Sequence, residues 1–170
     1  MKRRVLKFVI LVLCAALLCT ALTSCGMVQY SRLGISFELP RDFEERANAG
    51  ALMAFGSDEA FIVFNKYTLT ELAVAGLSSL DVQAFTENFL EKSELSETVA
   101  PAYSASGDRA EFDYIVEDPE VPTTYYYYYA VIINGADCIW AVQMACYAEL
   151  STNYAPQFEK WAQTLKADLN

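Results

Sequence analysis

The sequence predicts an α+β domain: an antiparallel β-sheet flanked by helices, an α/β/α sandwich closed by an amphipathic C-terminal helix. Three observations carry this. Short runs rich in β-branched and aromatic side chains recur along the chain, the spacing expected of half-buried strands. Two stretches change to a helical period. And one Asn-Gly pair, Asn134-Gly135, separates two long β-rich runs.

Taken in order, Gly34-Ile35-Ser36-Phe37-Glu38-Leu39 alternates with period two and stops at Pro40, which has no N–H for a ladder. Ala51 to Phe55 and Ala60 to Tyr67 read as the next two strands, with Gly56-Ser57-Asp58 as their turn. From Ser79 to Lys92 the apolar residues Val82, Phe85, Phe89 and Leu90 recur at helical spacing, and Ser78 with Asp81 has the form of a capping box. Ala102 to Ser106 and Arg109 to Val116 form a hairpin around Gly107-Asp108.

Tyr125 to Ile133 and Cys138 to Tyr147 follow, joined by Asn134-Gly135-Ala136-Asp137. An Asn-Gly pair tolerates the positive φ of a tight turn, so these strands pair antiparallel. One face then carries Tyr125, Tyr127, Tyr129, Val131 and Ile133 with Cys138, Trp140, Val142, Met144 and Cys146. The other carries Tyr126, Tyr128, Ala130 and Ile132 with Ile139, Ala141, Gln143, Ala145 and Tyr147. Both faces are apolar, which predicts a central hairpin covered on both sides. A last helix begins near Pro156, a good first-turn residue, and puts Phe158, Trp161, Ala162, Leu165 and Leu169 on one stripe.

The N-terminus has another origin. Lys2, Arg3, Arg4 and Lys7 precede an almost wholly apolar run from Phe8 to Leu18, shorter than the ~20 residues that span a bilayer. Ala21-Leu22-Thr23-Ser24 then leads to Cys25. Cys14 and Cys19 each follow a bulky leucine; only Cys25 follows a small residue, with Leu22 three before it. This pattern resembles the bacterial lipobox. The resemblance implies cleavage before Cys25, acylation of its sulfur, and a lipid-anchored protein on the extracytoplasmic face of the cell membrane. The expected organisation is a signal peptide over 1–24, lipidated Cys25 and a tether over 25–32, and one α+β domain over 33–170.

Without its first 24 residues the chain keeps eight basic residues against 22 acidic ones, a net charge of −14. Such a surface repels phosphate backbones, so nucleic acid is not an expected partner. Cys138 and Cys146 lie eight residues apart on one expected strand, roughly 26 Å at ~3.3 Å per residue. A disulfide needs Cα atoms within about 7 Å, so both are expected as buried free thiols.

The chain has no histidine. This removes Ser-His-Asp and Cys-His arrangements together with the commonest general base near neutral pH. No Gly-rich phosphate loop or Cys-x-x-Cys pair occurs. Glu117-Asp118-Pro119-Glu120 is acidic but lacks EF-hand order, so it reads as a solvated turn rather than a calcium site. The expectation is therefore a protein without catalytic residues, cofactor or metal.

Gly34-Ile35-Ser36-Phe37-Glu38-Leu39-Pro40 with Phe43, the tyrosine-rich late hairpin and the aromatic terminal helix together resemble the PsbP/Mog1-like class. That class implies an accessory or binding role without shared catalytic residues. Tyrosine pairs a large ring with a polar tip, which suits interfaces and sugar stacking. Tyr126, Tyr128 and Tyr147 are thus the binding candidates, provided the terminal helix covers the Trp140 face. They fit an envelope protein partner met through an aromatic patch, or a small ligand such as a glycan or peptide held in a groove. A spacer with no dedicated site would have neither.

Overall fold

A computed structural model describes residues 26–48 and 50–169. The signal segment and Cys25 lie outside the described residues. At the centre is the hairpin of β8 (Tyr125–Asn134) and β9 (Cys138–Tyr147), paired antiparallel with Ile133 opposite Trp140, Val131 opposite Val142 and Tyr127 opposite Cys146. That register is the one the alternation of the two runs implies.

The turn works for a different reason. Gly135 is not among the residues with positive φ. A Cβ placed on it would lie 2.9 Å from Cys138 Sγ and 3.5 Å from Trp140 Cδ1, so glycine is needed for space rather than for backbone conformation.

Further strands extend this hairpin on both sides. They are β3 (Glu44–Glu45), β4 (Met53–Gly56), β5 (Ala60–Thr68), β6 (Ala102–Tyr103) and β7 (Arg109–Glu117). The seven-stranded sheet runs β3-β4-β5-β9-β8-β7-β6, antiparallel throughout. A second sheet of β1 (Met27–Arg32), β2 (Ile35–Pro40) and β10 (Lys166–Ala167) has the order β1-β2-β10. The helices are α1 (Leu69–Val74), α2 (Val82–Lys92) and α3 (Ser151–Ala162), the last preceded by a 3₁₀ turn at Ala148–Leu150.

Two cores result, one on each face of the large sheet. On the Trp140 face, β2 contributes Ile35, Phe37 and Leu39, and α3 contributes Phe158, Trp161 and Ala162. Phe37 stacks on Phe64 at 4.3 Å, and Phe43 meets Trp161 edge-on at 5.1 Å. On the opposite face Leu72, Val82, Phe85 and Leu90 pack on Ala110, Phe112, Ala130, Ile132, Ile139 and Ala141. The architecture is α+β, an antiparallel sheet flanked by helices with a C-terminal helix, as the sequence predicts.

Several details differ. Met27–Arg32, expected as part of a tether, is strand β1. It pairs with β2 along its whole length, through a two-residue turn at Leu33 (φ 56°) and Gly34 (φ 91°). Turns of this kind need positive φ at both central residues and favour Asn-Gly; a leucine there hides the hairpin. An L-residue in the left-handed region costs roughly 1–2 kcal/mol, and Leu33 is exposed, so it gains little from burial. Leu33→Asn is expected to stabilise the domain by about 1 kcal/mol, read as a higher midpoint in urea unfolding with an unchanged slope.

Pro156 lies inside α3 rather than in its first turn, because the helix starts earlier, at Ser151. The helix ends at Ala162, so Leu165 is buried beyond its end and Leu169 is exposed. The N-cap of α2 is Asp81 itself, whose carboxylate accepts from the N–H groups of Gln83 and Ala84. A complete capping box at Thr68 and Glu71 starts α1, a helix too short to show a period.

Candidate interaction surface

The hairpin is not covered on both sides along its length. The Trp140 face is closed by β2 and α3. On the other face α2, eleven residues and about 16 Å long, cannot roof strands of ten residues spanning about 33 Å. Helices α1 and α2 therefore cover the half around Ile132, Ile139 and Ala141. The half that carries Tyr126, Tyr128 and Tyr147 stays open: the first two are half-buried, the third exposed.

The three candidate tyrosines come together here. Tyr126 stacks on Tyr147 at 5.1 Å and lies 6.4 Å from Tyr128. The large sheet adds two rings the sequence reading did not include. Phe61 of β5 sits edge-on to Tyr126 and Tyr128 at 6.3 and 6.2 Å, and Tyr114 of β7 stacks on Tyr128 at 5.1 Å with an interplanar angle of 7°. Ala145 lies between Phe61 and Tyr128 in the cross-strand row, since it is opposite both. Its missing bulk lets the flanking rings meet above it. The signal for Phe61 was available: Ala60 to Tyr67 alternates with apolar residues on both faces, so Phe61 and Val63 had to lie opposite Ile62 and Phe64.

The surface is neutral at physiological pH. Burial, offset by a hydrogen bond that Gln143 Nε2 donates to its hydroxyl at 2.6 Å, pushes Tyr114 up to about 12. The neighbouring Tyr147 hydroxyl and then burial raise Tyr126, and burial followed by the Asp118 carboxylate raises Tyr128. The phenols of Tyr114, Tyr126 and Tyr128 therefore remain protonated, and offer ring faces and hydroxyl groups rather than charge or a general base.

The floor is an open surface rather than an enclosed groove. A recess of about 340 Å³ touches Tyr147, with Thr124, Tyr125 and Glu149, but is lined by neither Tyr126 nor Tyr128. The other chemically reactive residues lie elsewhere. Cys138 and Cys146 are free and buried, and burial pushes the Cys146 thiol up to about 11, far from a reactive thiolate. In the acidic loop Asp118 accepts from the N–H groups of Glu120 and Val121, and Glu117 accepts from Thr123. Its carboxylates hold the turn. Among the described residues no three metal-capable side chains cluster, and no helix is long and apolar enough to cross a membrane.

No family of known proteins matches this sequence, and no curated protein does. Solved structures do resemble it. Mog1p, a Ran-binding protein of Saccharomyces cerevisiae, matches with a TM-score of 0.56 at 8% identity, over 83% of this chain and 95% of its own. A protein from Bacteroides thetaiotaomicron VPI-5482 matches with a TM-score of 0.51 at 12% identity, over 84% of this chain; this chain spans 48% of its length. At such identities the likeness is one of fold. The described residues thus share the fold of Mog1p, one of the folds that the opening strand, the tyrosine-rich hairpin and the terminal helix suggest.

Proposed function

We propose that this chain is an extracytoplasmic lipoprotein, held to the membrane through acylated Cys25, whose domain is a non-catalytic module that captures another envelope protein. The capturing surface is the open aromatic floor of Tyr126, Tyr128 and Tyr147, widened by Phe61 and Tyr114. One observation carries this reading: half of one face of the central sheet is paved with five rings, each touching at least one other, and left without a roof. Burying apolar surface is worth about 25 cal/mol per Å², so rings left half-exposed forgo stabilisation that a longer helix could have supplied. Contiguous exposed aromatic surface is a common mark of a protein interface. The use of this fold in a Ran-binding protein supports a protein partner in general terms.

A small ligand, such as a glycan or peptide fragment stacked on the same tyrosines, is the second reading. It draws on the same rings, but sites for such ligands are normally concave, whereas this floor is open.

Two variants of the full chain, expressed in its own cell envelope, test the proposal. Cys25→Ala is expected to move the protein from the membrane to the soluble fraction; retention in the membrane would remove the lipid from the account. Tyr126→Ala with Tyr128→Ala is expected to abolish cross-linking to the partner that wild type captures, with the melting temperature lowered by only a few degrees. Undiminished cross-linking would overturn the floor as the interface, and a collapse in melting temperature would make these rings core.

A further inference from the structure

Strand β7 is nine residues long, but β6 pairs only with Ala110 and Glu111. The direction of the remaining backbone groups follows from three hydrogen bonds. Ser104 donates to the carbonyl of Arg109 at 2.9 Å, so Arg109 points away from β8. Asn134 of β8 donates to the carbonyl of Asp108, and Asp118 donates to Thr124, so even-numbered residues point toward β8. Along an antiparallel strand these directions alternate. The N–H and C=O groups of Asp113, Ile115 and Glu117 therefore face outward, and among the described residues no strand meets them.

Side chains on this edge are patterned as well. Asp113, Ile115 and Glu117 share one face as acid, apolar, acid. Tyr114 and Val116 share the other, and Tyr114 joins the aromatic floor through Tyr128. Ile115 is 57% exposed and Val116 39%. A recess of about 400 Å³, lined by Ala100, Tyr103, Phe112, Asp113 and Tyr129, opens where β6 leaves the edge.

We propose that the outer edge of β7 from Asp113 to Glu117 takes an extended segment of a partner protein as an added antiparallel strand. That segment carries Lys or Arg on either side of an apolar residue on one face, and aromatic or apolar residues on the other. Backbone bonds to Asp113, Ile115 and Glu117 hold the strand, while its cations meet the two carboxylates. Its second face continues the floor beyond Tyr114 and Val116. The charges argue against a second copy of this chain: two β7 edges paired about Ile115 would set Asp113 against Glu117 twice, and like charges directly opposite are destabilising. The same carboxylates favour a basic strand. This docking mode rests on the function proposed above only in taking a protein as partner; its residues are separate from Tyr126, Tyr128 and Tyr147.

The test uses the full chain in detergent micelles and the synthetic peptide Thr-Lys-Tyr-Val-Tyr-Lys-Thr, labelled for fluorescence anisotropy. Wild type is expected to bind it, and the version with both lysines replaced by glutamate at least tenfold more weakly. Ile115→Pro is expected to lower affinity at least tenfold while the domain stays folded, because the lost N–H points away from β8. N-methylating the alternate peptide amides that face β7 is expected to abolish binding, whereas methylating the other set leaves it. Asp113→Lys with Glu117→Lys reverses the preference toward the glutamate peptide. No binding by wild type, binding indifferent to Ile115→Pro, or equal sensitivity to both methylation patterns would each overturn strand addition. The two proposals separate cleanly. Partner cross-linking that survives Ile115→Pro but not the Tyr126, Tyr128 double variant leaves the floor and removes the edge, and the reverse result removes the floor.

Discussion

Trp140→Ala is expected to lower the stability of the domain by about 3–5 kcal/mol, the usual range for truncating a buried tryptophan. Trp140 has no exposed surface. It is the largest of the fully buried side chains and sits on the central strand β9, opposite Ile133 on one side and Lys66 on the other. The Lys66 ammonium lies 5.9 Å from its ring centroid, and Gly135 runs so close that a Cβ there would lie 3.5 Å from Trp140 Cδ1. Neighbours drawn from three segments cannot all move in to fill the void, so the cavity persists. For a domain of this size the loss corresponds to roughly 10–20 °C in melting temperature, measurable by calorimetry. Tyr125→Ala at the exposed start of β8 is the control, with a change within about 0.5 kcal/mol. A Trp140→Ala variant that melts within a few degrees of wild type would mean the two strands are not the centre of the core.

The second large effect is expected at Arg109. Its guanidinium donates through Nη2 to the carbonyl of Ala162 at 2.7 Å and through Nε to Glu111 Oε1 at 2.6 Å, and Glu111 in turn accepts from the Tyr129 hydroxyl. One side chain thus joins the last carbonyls of α3 to strand β7, where its charge also suits the negative end of the helix dipole. Burial, together with the adjacent Glu111 carboxylate, holds the Tyr129 phenol protonated well above its usual range. Arg109→Met keeps the aliphatic stem but leaves a partly buried carboxylate and an orphan helix carbonyl. Hydrogen bonds to charged groups are worth about 1.5–3 kcal/mol each, so a loss of about 2–3 kcal/mol is expected. Adding Glu111→Gln should recover part of it, because the carboxylate no longer needs a counter-ion. Equal losses in the single and double variants would show that the carboxylate is not what suffers.

How far the fold could be read depended on whether each element announced itself locally. The two strands after Thr124 did, since their alternation fixes which residues share a face whatever the turn conformation. Gly135 illustrates the limit: the residue pair gave the correct hairpin through an argument about φ that the backbone does not use. Strand β1 escaped because Leu33 stands where a turn asparagine would be expected, and β10 because two residues carry no period. The capping box of α1 was present in Thr68-Leu69-Thr70-Glu71 but followed a β-run directly, without a break to draw notice.

The site was half legible. Tyr126, Tyr128 and Tyr147 were placed on the correct face by counting in twos, but whether that face is roofed depends on the length and placement of α2, a matter of tertiary packing. Phe61 and Tyr114 come from strands whose neighbours in the sheet no local pattern names.

Strand β1 begins at Met27, and Gly26 is pinned by a 2.8 Å bond between its carbonyl and the Arg41 N–H. An acylated Cys25 would then be joined to the folded body with almost no leash. Asp42 borders the same recess as Ser57 and Glu59, so the anchored corner lies at the end of the sheet from which Phe61 and the aromatic floor rise. A domain mounted this way would not sweep the space around it. With the proposed anchor in place, a partner of the aromatic floor would have to be presented close to the same bilayer.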